Sequence, residues 1–151
     1  GHGDAGDQAQ PTQAGQAGLT FAKAMQDTGN ADAAKDALGW VAEQSSDDGL
    51  KALAKLRLAS VLMDQKNYDE ALKQVSGSFP PEFASVAADR KGDVLILQDK
   101  RQEAIAEYTK AYKGFEESVE YRRLVEIKLN ALGVSPQAAT VAAAPSSVQT
   151  K

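Results

Sequence analysis

Catalysis needs a side chain that can move a proton, hold a metal or attack an electrophile, and this chain offers few. It has one histidine, His2, and no cysteine. Thiol catalysis, disulfides and cysteine metal sites are therefore excluded. Gly1-His2-Gly3 reads as a cloning remnant, which removes His2 from consideration. What remains is Asp, Glu, Lys and Tyr. Acidic pairs such as Asp69-Glu70 fall where helix starts are expected, and there carboxylates serve the helix end and solubility. No Asp-rich loop has calcium spacing. Gly92-Asp93 lacks the run of glycines after a strand that would cradle phosphate. No catalytic, cofactor or metal-binding residue is expected, and the chain reads as a non-enzyme whose function lies in its architecture.

Composition narrows the partners. Hydrophobic residues make up 42% of the 151 positions but aromatics only 6%, so the core should be Leu, Ala and Val, as in packed helices. The net charge of −4 provides no basic footprint for nucleic acid or anionic lipid. No apolar run approaches the roughly 20 residues that cross a bilayer.

The segment that organises the chain is Leu50 to Val75, LKALAKLRLASVLMDQKNYDEALKQV. Its first helix is apolar on nearly every side and should be enclosed by neighbours. Lys66-Asn67 makes a turn, and Tyr68 to Ser76 a second helix in which Ala71 allows close approach. Before it, a helix from near Ala17 carries Leu19, Ala22 and Met25, and Asn30 is placed to cap Ala31–Gln44. Trp40 is expected to pack against the next helix pair. After it, Gly77 suits a left-handed helix end. Pro81 opens a helix to about Gln98, Arg101 to about Lys113 forms its partner, and Ser118 can cap a last helix closed by Gly133. Residues 1–16 are expected to be a flexible linker, 17–133 the folded domain and 134–151 a disordered tail.

These helices repeat. Ala71 and Ala104 stand 33 residues apart, and with them Ala59 matches Gly92, Leu62 matches Leu95, Glu70 matches Glu103, and Val75 matches Tyr108. Ala22, Met25 and Ala34 begin the series at longer spacing. A period near 34 built from helix–turn–helix units is the signature of tetratricopeptide repeats. Small residues sit where paired helices cross, and large ones fill the space beside them. The expected fold is all-α, a tetratricopeptide-repeat α-solenoid of about three helix hairpins plus a C-terminal capping helix.

In such solenoids the first helix of each repeat lines a groove. The register places Lys23, Leu56, Ser60, Met63, Asp89, Asp93 and Ile96 on that side as protein-binding candidates. Asp89 and Asp93 would repel a carboxylate, so the groove is expected to take an apolar or basic segment. Ordinary solvation of the two acids is the alternative.

The order of residues also resembles the YfgM family. The resemblance runs from about Leu19 to Gly133 and rests on Leu50-Lys51-Ala52, Leu56-Arg57-Leu58-Ala59, Ala88-Asp89-Arg90-Lys91-Gly92-Asp93 and Lys128-Leu129-Asn130. It implies a periplasmic tetratricopeptide domain held to the bacterial inner membrane by an N-terminal anchor that this sequence does not contain. It further implies an ancillary role at the SecYEG translocon, with translocon subunits and a PpiD-like periplasmic chaperone as protein partners, and no cofactor. An adaptor of another envelope machine, for pilus or outer-membrane assembly, is the alternative. Self-association through an uncovered apolar face is a further mode open to such a chain.

Overall fold

The computed structural model describes residues 11–116 and 118–136, and the described residues form seven helices and no strand. In chain order these are α1 (Pro11–Asp27), α2 (Ala31–Gln44), α3 (Asp48–Asp64), α4 (Tyr68–Ser76), α5 (Pro81–Leu97), α6 (Arg101–Gly114) and α7 (Val119–Ala131). The expected fold class, a run of helix hairpins, is the one observed. The chain divides after Phe83 into two compact units.

In the first unit α3 is the hub. Its buried residues, from Ala52 to Leu62, point in every direction, and α1, α2 and α4 all pack against it. Ala22, Ala34, Ala59 and Ala71 are fully buried, as their spacing predicts. The approach of α1 to α2 is close enough that a Cβ on Gly18 would lie 2.6 Å from Val41 Cγ2. Asp47 caps α3, its carboxylate accepting from the Leu50 N–H at 3.0 Å, an interaction that stabilises a helix by about 1 kcal/mol.

In the second unit Ala104 is fully buried and Gly92 lets the Tyr108 ring of α6 lie against α5. Buried Val125 and Leu129 hold α7 in place. The Arg101 guanidinium donates to the Leu132 carbonyl at the end of α7, where a cation suits the exposed carbonyls.

Three hairpin turns share one geometry. Gly29, Lys66 and Asp99 all have positive φ, and in each the next residue's N–H reaches the carbonyl five positions back: Asn30 to Met25, Asn67 to Leu62, Lys100 to Leu95. The end of α7 repeats it with Gly133 at positive φ and Val134 bonded to Leu129. Glycine takes this conformation freely, but lysine and aspartate hold it at a cost.

Several expectations need correcting. Helix α1 begins at Pro11, so residues 11–16 are helical where a linker was expected; residues 1–10 lie outside the described residues. Of the tail expected from 134, Val134 is hydrogen-bonded and Pro136 is buried, so residues 134–136 belong with the fold; residues 137–151 lie outside the described residues. Asn30 and Ser118 precede their helices without a side-chain cap bond, and Gly77 is extended, with φ −78°. Trp40, expected to be covered by the next pair, is 50% exposed. On α7 the apolar residues are split: Val125 and Leu129 face in, while Leu124 and Ile127 are 53% and 56% exposed.

Candidate functional site

Two arrangements of side chains stand out, one in each unit. In the second unit, Asp89 and Asp93 lie one turn apart on α5. Lys128 of α7 places its Nζ 2.9 Å from Asp89 Oδ1 and 3.1 Å from Asp93 Oδ1. The Tyr108 hydroxyl donates to Asp93 Oδ1 at 2.6 Å, and Lys128 Nζ lies 5.6 Å from the centre of the Tyr108 ring. Arg90 stands 3.8 Å from Asp89. Burial pushes the Asp89 carboxyl above the usual carboxylate range, with Asp93 adding to the rise and the Lys128 hydrogen bond opposing it. The two carboxylates hold the Lys128 ammonium above its ordinary value although burial pulls it down. Burial first, and then the bond to Asp93, raises the Tyr108 phenol.

These directions define the chemistry. A lysine held charged is no general base or Schiff-base former, and a phenol that keeps its proton is no nucleophile. The cluster is an electrostatic clasp joining α5, α6 and α7. It also alters the reading of the acidic pair: Asp89 and Asp93 share the Lys128 ammonium, Asp89 also has the Arg90 guanidinium at 3.8 Å, and Asp93 accepts from the Tyr108 hydroxyl, so they do not form a free acidic wall against carboxylates. Solvation alone does not describe them either, since Asp89 is buried.

In the first unit, α1 and α3 flank a groove of about 590 Å³. Leu19, Leu50 and Leu53 supply its apolar surface, and Lys23, Asp27 and Arg57 its charges. The facing residues recur at helical intervals on both walls, which is why two first helices of successive hairpins present one continuous face. Lys23 and Asp27 approach within 3.9 Å but are both largely exposed. Arg57 has no ion-pair or hydrogen-bond partner among the described residues. A second cavity of about 390 Å³ lies between α3 and the turn Ser78-Phe79-Pro80, with Lys55 Nζ 5.6 Å from the centre of the Phe79 ring.

Of the residues singled out in the sequence, Lys23 lines the α1–α3 groove and Leu19 joins it. Leu56 is buried in the core and contributes no wall; Arg57, about 100° further round the helix, takes the place expected for it. The Ser60 hydroxyl turns back to the Leu56 carbonyl at 3.4 Å, and Met63 is half-buried. Asp89 and Asp93 meet in the clasp, whereas Ile96 stays exposed near the end of α5. Arg57, Leu53 and Lys128 were missed as participants. Leu53 and Arg57 carried a usable signal, their four-residue spacing on a helix already placed. Lys128 carried none, because its partner lies 39 residues away.

Comparison with known proteins agrees with this geometry. The model of the tetratricopeptide repeat-like domain matches residues 5–134. The chain is 36% identical to an ancillary SecYEG translocon subunit of Neisseria gonorrhoeae over 119 residues, 79% of this chain and 57% of that protein. It is 29% identical to the ancillary SecYEG translocon subunit of Escherichia coli over 90 residues, 60% of this chain and 43% of that protein. The chain thus spans about half the length of the curated relatives it matches. No solved structure matches it significantly. Buried small residues at the repeat spacing, shared hairpin turns and these relatives converge on one assignment: the chain belongs to the tetratricopeptide repeat-like family and, within it, to the YfgM family.

Proposed function

We propose that this chain is a non-catalytic protein-binding module of a subunit ancillary to the SecYEG translocon, working beside periplasmic chaperones at the outer face of the bacterial inner membrane. The observation that carries the reading is the α1–α3 groove, a continuous face presented by two first helices, in a chain whose matched relatives are named for the translocon. In the second unit Asp89, Asp93, Tyr108 and Lys128 are bonded to one another across three helices, which gives the cluster a role in holding the fold. None of the helices among the described residues is long and apolar enough to cross a membrane, so attachment would come from elsewhere in the protein.

A photocrosslinking residue in place of Thr20, on the groove wall, tests this in membranes of the source cell. Recovery of translocon subunits or of a periplasmic prolyl-isomerase-like chaperone is the expected result. Recovery of pilus or outer-membrane assembly proteins in their place would move the module to a different envelope machine.

A further inference from the structure

The groove between α1 and α3 has a pattern that specifies its occupant. On α1, Leu19 is followed four residues later by Lys23; on α3, Leu53 is followed four residues later by Arg57. The α3 wall therefore offers an accessible apolar surface and then, about 6 Å along the helix axis, a cation, while on α1 Leu19 is only 6% exposed and Lys23 supplies the facing cation. An extended polypeptide advances about 6.6 Å over two residues, with both side chains on the same face. The two repeats match.

We infer that this groove takes an extended partner segment in which a bulky apolar residue stands two positions from a carboxylate, the apolar side chain resting on Leu50 and Leu53 and the carboxylate on Arg57. The inference rests on the protein-binding reading above and names the chemistry of the partner. It reverses the preference drawn from Asp89 and Asp93, which are engaged by Lys128 and Arg90 within the second unit. Charge complementarity selects an acidic segment over a basic one. Lys23 is partly engaged by Asp27 at 3.9 Å, but Arg57 is half-buried beside the leucines with no partner among the described residues. A planar guanidinium in that position is suited to a carboxylate, which it can meet with two parallel hydrogen bonds. A basic segment would instead bring a second cation against Arg57. The leucines alone would accept any apolar side chain; the arginine is what discriminates.

Three synthetic peptides with identical Gly/Ser flanks separate the contributions: one with Leu-Ser-Glu at its centre, one with Leu-Ser-Lys and one with Ser-Ser-Glu. Binding to the 151-residue chain is read from backbone amide shifts. The expected result is shifts confined to α1 and α3, with Leu-Ser-Glu binding at least about tenfold more tightly than either control. Arg57→Glu, an exchange on a solvent-accessible wall, should transfer the preference to Leu-Ser-Lys while circular dichroism stays unchanged. Equal binding of the three peptides, binding of none at millimolar concentration, shifts centred elsewhere, or a preference untouched by Arg57→Glu would each overturn the inference. So would groove shifts that grow with protein concentration alone, which would make a second copy the occupant. Translocon crosslinks that persist in Arg57→Glu would leave the proposed function standing while the acidic-segment preference fell.

Discussion

At the scale of single residues, Lys128 and Tyr108 make the second unit sensitive to alkali. Both hold their protons more tightly in the folded chain than in the unfolded one, the lysine through its two carboxylates and the phenol through burial and Asp93. Above the unfolded values of 10.0 for tyrosine and 10.5 for lysine, the folded state therefore binds more protons than the unfolded state, and stability falls as pH rises. The contribution is fully present below pH 10 and drains away above it. Tyr108→Phe keeps the ring against Gly92 and removes the proton. Denaturant melts from pH 9 to 11 (about one unit either side of the tyrosine value) should show a shallower alkaline decline in the variant. An identical slope would mean that the phenol is not held as described.

At the scale of elements, the hairpin turns carry a cost that sequence alone did not reveal. Lys66 and Asp99 sit at positive φ, in the same turn that Gly29 makes without strain. Lys66→Gly should therefore stabilise the protein by about 0.5–1 kcal/mol, whereas Gly29→Ala should destabilise it by about 1 kcal/mol or more. Urea midpoints moving in the same direction for both would contradict the shared geometry. The helices themselves were legible because their information is periodic. Ala59 and Gly92, like Ala71 and Ala104, stand 33 residues apart, and all four are buried as the crossing of paired helices requires. The helical start at Pro11 was illegible because Gln13 to Gly18 contains no large apolar residue; a Cβ at Gly15 would come within 2.9 Å of Leu50 Cδ1, so small size there allows packing on α3. The clasp was illegible for a different reason. Its members are spread over three helices, and an ion pair across 39 residues leaves no periodic trace. The groove was half legible: the right helices and Lys23 were found, but the phase on α3 was off by one residue, since Leu56 faces inward and Arg57 outward.

At the scale of the whole molecule, two compact units each carry their own core. Damage to one should be visible as local loss. Gly92→Ala places a methyl group 2.5–2.9 Å from three atoms of the Tyr108 ring, so the ring must move and its bond to Asp93 stretches. Overpacking of this kind costs about 1–3 kcal/mol. Amide exchange should accelerate in residues 84–136 of the second unit and change little in residues 11–83 of the first. Uniform acceleration through both would show instead that the units open together.

The position of Trp40 has a practical consequence. It is the only tryptophan, and half of it already meets water in the native chain. Melting can alter its surroundings only modestly, so the emission spectrum most often used to follow denaturation would be a dim reporter. It would also speak for the first unit alone, leaving the clasped helices to other chromophores. The tyrosines Tyr108, Tyr112 and Tyr121 lie beyond Ala84 and give the complementary signal for that half of the chain.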